Sequence, residues 1–211
     1  MENKQAIEYW KIMSELSPTE KTIKVNPQND YTQIDANFVL KFADKNSQVL
    51  DLASGTGLTI NKYYDKVAHI DAVELFEGFS KFITKTPKIT LYQSNILNFK
   101  SVKEYDIITM FGILHYFNEQ ETEFIYKKYR QYLKPNGKII VKQQFGVEED
   151  VCVSGFSEEL QQNYYSQYRH IDKEQKILET IGYKNIEVVD IYPPECNRWD
   201  NTHFYAIVAE K

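Results

Sequence analysis

The 211-residue sequence is poor in cysteine, in basic clusters and in long apolar runs, and each shortage removes a class of protein. Its 2 cysteines, Cys152 and Cys196, stand far apart, with no C-x-x-C pair to suggest a metal knot and no disulfide framework. That usage suits a reducing, cytoplasmic setting. No run is long enough to span a bilayer, and Met1-Glu2-Asn3-Lys4-Gln5 is polar with no apolar signal core behind it, so neither a membrane span nor a leader is expected. Formal net charge is -5 and no block of Lys and Arg occurs. A dedicated nucleic-acid binder needs a cationic face for phosphates, so that class is disfavoured. No metal-spaced cluster, internal repeat or low-complexity linker is present. What remains, with 42% hydrophobic and 26% charged residues, reads as one globular domain over 1–211 with room for a sizeable core.

Of the 8 glycines, two fall together in Val49-Leu50-Asp51-Leu52-Ala53-Ser54-Gly55-Thr56-Gly57-Leu58. Val49 to Leu52 is a short apolar run of the kind a buried parallel strand shows, and Leu58 to Tyr64 resumes at helical spacing. A strand, a glycine turn and a helix let a ligand approach backbone N–H groups, because no Cβ stands in the way. The third glycine of a dinucleotide fingerprint is replaced by Ile60, and the phosphate-loop pattern is absent. Asp51 at the strand end would repel a pyrophosphate and suits a cationic ligand or one rich in N–H and hydroxyl donors. S-adenosylmethionine, with its sulfonium and ammonium and no phosphate, meets that description.

This stretch resembles the first motif of class I S-adenosylmethionine-dependent methyltransferases, usually V-L-D-L-G-C-G-T-G, with Ala53 where the first glycine usually stands. The resemblance implies an α/β, Rossmann-like doubly wound sheet of seven strands, mostly parallel with an antiparallel last strand, plus N-terminal helices. It also implies a cofactor site at Asp51, Ala53, Ser54, Gly55 and Gly57. Further along, Ala68 to Glu74 reads as a second strand ending in an acid. A carboxylate there can accept two hydrogen bonds from a ribose diol, the role the family gives it, or it can cap the helix starting near Glu77; Leu75 follows it. Residues 88–93 form a third strand, followed by Asn95-Ile96 where the family has aspartate and an adenine-packing residue; an amide oxygen accepts the same bond without charge. Tyr105 to Gly112 is a fourth, central strand, and Phe111 and Gly112 are expected beside the methionine part of the cofactor. Gly112-Ile113-Leu114-His115-Tyr116-Phe117 resembles the family's segment beside the transferable methyl, making His115 either a base or a brace for its loop.

The flanks point to the acceptor. Residues 1–44 are expected to form a helical lid over a cofactor-binding core at 45–142, with an acceptor-side loop, helix and terminal hairpin over 143–211. Helix 3–16 puts Tyr9 and Trp10 on one face, as lid or as packing, and Tyr31 precedes a second helix over about 32–44. Asn118 is an expected N-cap for helix 118–133, and 138–142 is a fifth strand. In the long connection 143–170, Tyr165 and Arg169 read as an aromatic, cationic wall for an anionic acceptor or as a surface helix packed on its tyrosines. Helix 171–181 and strand 184–191 precede a last strand at 204–209, and the loop between them carries Asn197, Arg198, Trp199 and His203, too many directional groups for a plain hairpin.

Methyl transfer from a sulfonium is an in-line displacement that needs alignment and dryness more than a metal. An acidic acceptor oxygen needs no base, whereas an alcohol needs one, for which His115, His203 and His170 are the candidates. The expectation is therefore transfer to a small anionic, phosphorylated or sugar-related molecule by a monomer or homodimer. Two alternatives remain: a catalytically silent scaffold of the same fold, on account of Ala53 and Asn95, and a nicotinamide-dependent oxidoreductase.

Overall fold

In the computed structural model, residues 2–22, 31–157, 162–197 and 199–211 are described. A seven-stranded sheet is ordered β3-β2-β1-β4-β5-β9-β8, where β1 is Gln48–Leu52, β2 His69–Glu74, β3 Ile89–Gln93, β4 Tyr105–Phe111, β5 Leu133–Gly146, β8 Lys184–Asp190 and β9 Thr202–Glu210. Strands β3 to β5 run parallel to their neighbours, and β9 is antiparallel to both β5 and β8. This is the expected doubly wound sheet with an antiparallel final strand.

The central strands β1 and β4 are mostly apolar because both faces are covered. Val49 and Leu50 are adjacent on β1 and each is 0% exposed, yet they enter different cores. Leu50 joins Ile108, Met110, Tyr126 and Tyr129 beneath helices α4 (Glu119–Gln131) and α5 (Ile171–Ile181), and Val49 joins Ile70, Ile107, Ile140 and Phe38 of α2 (Thr32–Val39). Helix α4 begins in a capping box: the Glu121 N–H donates to the Asn118 side chain, and the Asn118 N–H donates to the Glu121 carboxylate. Helix α5 ends on Gly182 at φ 98°, a left-handed cap.

Three local expectations are corrected. After the glycine turn the chain makes two 3-10 turns, Ile60–Lys62 and Tyr64–Lys66, instead of one helix. Ile60 and Tyr63 are three apart and both buried, a spacing that suits a 3-10 turn, and Thr, Ile and Tyr are weak helix formers. Helix α2 stops at Val39, where Lys41 and Phe42 N–H groups bond three residues back and tighten the chain before 44. The connection 143–170 is neither loop nor helix. Strand β5 runs on to Gly146, and β6 (Val151–Ser157) pairs antiparallel with β7 (Gln162–Tyr168) in a separate two-stranded sheet. The Tyr-rich strand alternates as a half-buried strand should, with Ser166 and Tyr168 buried and Tyr165 and Gln167 half-exposed.

Helix α1 (Glu2–Glu15) packs against β7 and against the short helix α3 (Glu77–Ser80), over the carboxyl edge of the sheet. The α3 contact is backbone-close: a Cβ on Gly78 would fall 2.0 Å from the Ser14 carbonyl oxygen. Trp10 stands edge-on to Phe79 and Tyr116. Among the described residues no helix is long and apolar enough to cross a membrane.

Candidate active site

Under α1, at the carboxyl ends of β1, β2, β4 and β5, lies a cavity of about 370 Å³, lined mostly by apolar and aromatic groups. The ends of parallel strands are where open α/β sheets bind ligands. Asp51, Ala53, Ser54, Gly55, Glu74, Leu75, Asn95, Ile96, Phe111 and Gly112 all line it. Gly57 does not line it and acts on the turn: its φ is 77°, and a Cβ there would meet Ile83 Cγ1 at 2.8 Å.

The backbone of the first half is shaped for close approach. Ala53 has φ 58° and Gly55 φ 55°. A left-handed alanine costs free energy that glycine avoids, so Ala53 adopts the backbone of the usual glycine under strain. Gly112, at φ 65°, has nothing within 4 Å of where a Cβ would sit and so opens space in the wall.

Glu74, 5% exposed, accepts from the Gly55 N–H at 2.8 Å and the Phe76 N–H at 2.9 Å, one on each oxygen. Burial raises its pKa, and those two N–H groups oppose the rise. Each oxygen keeps a second acceptor site, which is what a vicinal diol requires. Asp51 is buried beside Thr109, whose hydroxyl donates to it, and its pKa is pushed up to about 6 because desolvation outweighs that hydrogen bond. Asn95 Oδ1 accepts from the Leu97 N–H at 2.8 Å, a local turn that fixes the amide and leaves that oxygen one further acceptor site.

The sequence matches the model of a methyltransferase domain over residues 49–137, the span from β1 into β5. The whole fold is similar to that of DhpI bound to S-adenosylhomocysteine (TM-score 0.75, 14% identity, 99% of this chain and 96% of that one). It is also similar to a SAM-dependent methyltransferase from Leishmania major (0.74, 16%, 99% and 82%). A third similar structure is 1,6-didemethyltoxoflavin-N1-methyltransferase of Burkholderia thailandensis with bound 1,6-didemethyltoxoflavin and S-adenosylhomocysteine (0.73, 13%, 98% and 90%). No curated protein matches the sequence significantly.

The chain thus has the class I methyltransferase fold and, over residues 49–137, the sequence pattern of a methyltransferase domain. Two of these similar structures hold S-adenosylhomocysteine, the demethylated form of S-adenosylmethionine. The residues present fit that group: a diol-ready carboxylate at Glu74, left-handed backbone at Ala53 and Gly55, and open space at Gly112.

In the other half of the cavity, expectation and structure part more often. His115 lines the cavity, 8% exposed, with ring centroids 4.0 Å from Tyr116 and 5.4 Å from Tyr168. Tyr31 also lines it, 5.0 Å from the Tyr192 ring. Arg169, expected in an acceptor wall, is instead 1% exposed and committed to the core. Its Nε donates to Glu174 at 2.6 Å and an Nη to Thr122 at 2.8 Å, joining β7 to α4 and α5. A cation this buried is held by the carboxylate it neutralises. His203 does not line the cavity: its Nε2 lies 2.7 Å from Asp190 and its Nδ1 3.0 Å from the Asn197 amide, so both ring nitrogens and Asn197 serve the terminal hairpin. Trp199 donates to the Tyr168 hydroxyl at 3.2 Å, behind the wall, and Tyr9 and Tyr165 also lie off the lining. Arg198 lies outside the described residues.

Unforeseen from the sequence were Asp35, Lys142, Gln143, Gln144, Tyr192 and Phe204. Lys142 Nζ donates to Asp35 Oδ2 at 3.0 Å and to the Tyr192 hydroxyl at 3.2 Å, while that hydroxyl donates to Asp35 Oδ1 at 2.5 Å. The ammonium sits 5.0–6.0 Å from the ring centroids of Phe111, Tyr192 and Phe204. In the sequence Lys142 is only the end of the expected fifth strand. A lysine directly after a central β-strand's apolar run Ile139-Ile140-Val141, at the sheet edge where ligands bind, is the signal available in the sequence.

Proposed function

We propose that the enzyme transfers a methyl group to a small acceptor with a planar, largely apolar body and one weakly acidic or anionic oxygen. The observation that carries this is the continuity of the cavity: it runs from Glu74 past Phe111 and Gly112 to Tyr168, Tyr192 and Phe204, so one space serves both cofactor and acceptor. Aromatic walls reward a planar apolar body, and a bound acceptor displaces the water that would compete for the methyl. The expected anionic wall loses Arg169 to the core, and among the described residues Lys142 is the cation lining the cavity, already facing Asp35. That favours one negative charge, or none, over a phosphate dianion.

In this reading Glu74 takes the ribose diol, Asn95 and Ile96 the adenine, and Ala53, Ser54, Gly55, Phe111 and Gly112 the methionine end beside Asp51. The sulfonium carries its own activation, so the protein's task is to align the acceptor on the far side of the S–CH₃ bond. His115, between two tyrosines, is placed to accept a proton from an acceptor hydroxyl. Residues 1–44 act as lid, 45–142 as cofactor core and 143–211 as acceptor side. We place the enzyme in the cytoplasm as a monomer or homodimer without a nucleic-acid partner, a reading supported by its two unpaired cysteines and net charge of -5. The test is incubation with S-adenosylmethionine carrying a deuterated methyl and a panel of phenols, aromatic carboxylates, sugar phosphates and aliphatic alcohols, read by mass spectrometry. Labelling confined to sugar phosphates or aliphatic alcohols would refute the planar-acceptor reading.

A further inference from the structure

We infer that Lys142 and Gln143, consecutive residues at the end of β5, are the donor pair that recognises the acceptor's oxygen, so that the enzyme selects a planar aromatic oxyacid over a neutral or cationic ring. This rests on the planar-acceptor reading above.

The two side chains leave the strand on opposite faces, as consecutive residues do. Lys142 goes to the α2 side and Gln143 to the His115 side. An ammonium has three donors. Asp35 and Tyr192 take two, and the third has no protein acceptor among the described residues. Gln143 is 1% exposed, and its orientation is settled by chemistry: the His115 backbone N–H lies 3.1 Å from it and can only donate, so the facing atom is the amide oxygen. The amide nitrogen is therefore the other atom, and it is buried without a partner among the described residues. A buried amide donor left unsatisfied is costly unless a ligand completes it. Both residues line the cavity. Donors in search of lone pairs specify an acceptor that brings oxygen.

Strand order assigns this pair to the acceptor and not to the cofactor. The ribose anchor Glu74 ends β2, and β1 and β4 separate that strand from β5. Beyond β5 lie only β9 and β8, whose ends supply Phe204 and the following Tyr192. Asp35 and Tyr192 hold the ammonium in place and cancel part of its charge, which limits the preference to a monoanion.

The test uses the full-length protein saturated with S-adenosylhomocysteine and three probes followed by fluorine NMR: 4-fluorobenzoate, 4-fluorobenzamide and 4-fluorobenzylammonium. Benzoate should bind about tenfold more tightly than benzylammonium, the scale of one charge-assisted hydrogen bond. Lys142→Met should erase that preference, Lys142→Arg should retain it, and Gln143→Leu should weaken benzoate and benzamide alike. Because Lys142→Met leaves the buried Asp35 with the Tyr192 hydroxyl but without its cation, the double variant Asp35→Asn/Lys142→Met removes both charges and should lose the preference equally. Equal binding of all three probes, or a preference for benzylammonium, overturns the inference while leaving the planar-acceptor reading intact. Absence of binding by every probe overturns both. A tenfold loss of S-adenosylhomocysteine affinity in Lys142→Met would overturn the assignment to the acceptor side and place the lysine on the cofactor's carboxylate.

Discussion

The two halves of one cavity are built by different rules. The half proposed for the cofactor is local: Asp51 to Gly55, Glu74-Leu75, Asn95-Ile96 and Phe111-Gly112 each lie at or just past the end of a strand, and the parallel sheet brings those strand ends side by side. The groups proposed to recognise the cofactor there are backbone in glycine-type conformations and two carboxylates, Asp51 and Glu74. The acceptor half is assembled from α1, α2, β5, β7, the segment after β8 and β9, and its groups meet across separations of more than 100 residues, as Lys142 meets Asp35 and Tyr192 meets Asp35. Local construction holds a common cofactor, while distant construction lets the acceptor walls vary without disturbing it.

The sharpest way to break this comparison is at Arg169. If it anchors the hairpin and not the acceptor, Arg169→Ala strands Glu174 in the core and should cost about 3–5 kcal/mol of stability in a denaturant titration, the scale for half of a buried ion pair. Its acceptor preference, where the variant stays folded, should match the wild type. A stable variant with lost acceptor binding would return Arg169 to the site. Next in size is Glu74→Ala. Two diol hydrogen bonds to a charged acceptor predict a loss of about 100-fold or more in S-adenosylhomocysteine affinity by calorimetry. Affinity unchanged within a factor of two would remove the ribose role.

Asp51 sharpens the comparison through pH. A cationic sulfonium and ammonium favour its ionised form, so S-adenosylmethionine affinity should rise with pH and level off above about 6, falling towards tenfold per unit below. The same raised pKa means that the group favours the fold when protonated. This contribution is fully present below the ordinary value of 3.8 and is lost as pH rises through about 6. Asp51→Asn should therefore raise the stability of the cofactor-free protein at pH 8 by on the order of 2–3 kcal/mol, and little at pH 3.5. An equal gain at both values would show that the burial penalty is not what is relieved. The smallest effect is expected at Ala53→Gly, which relieves a left-handed alanine at the cost of a more flexible unfolded chain. A net gain of about 0.5–1 kcal/mol, or roughly 2 °C in Tm, should appear without loss of cofactor affinity. A lower Tm would mean that the alanine methyl contributes packing that outweighs its strain.

The legibility of the site follows the same division. The first motif, Glu74 and Phe111-Gly112 were readable because a strand followed by glycine, or by an acid, has a single geometric use at a sheet edge. Asn95 was readable as a position, though its turn with Leu97 was not. His115 emerged for the same reason, being seven residues or fewer from its strand. Arg169 and His203 misled because exposure cannot be read from residue type: an arginine beside three tyrosines describes a ligand wall and a buried anchor equally well. The hairpin β6–β7 was hidden by a weak pattern in which Tyr-Tyr-Ser-Gln-Tyr alternates over one short strand, a length at which helix and strand periods are barely separable.

The sequence by itself determined the sheet, its antiparallel last strand and the residues at the first four strand ends. Those depend on periodicity and on glycine stereochemistry, which act over a few residues. Only the tertiary structure decided that Arg169 belongs to the core, that Lys142 faces Asp35 and Tyr192, and that Gln143 keeps an amide nitrogen unsatisfied. Those depend on which side chains cancel each other's charge and hydrogen bonds, and partners brought together across the chain leave no mark on the spacing of either.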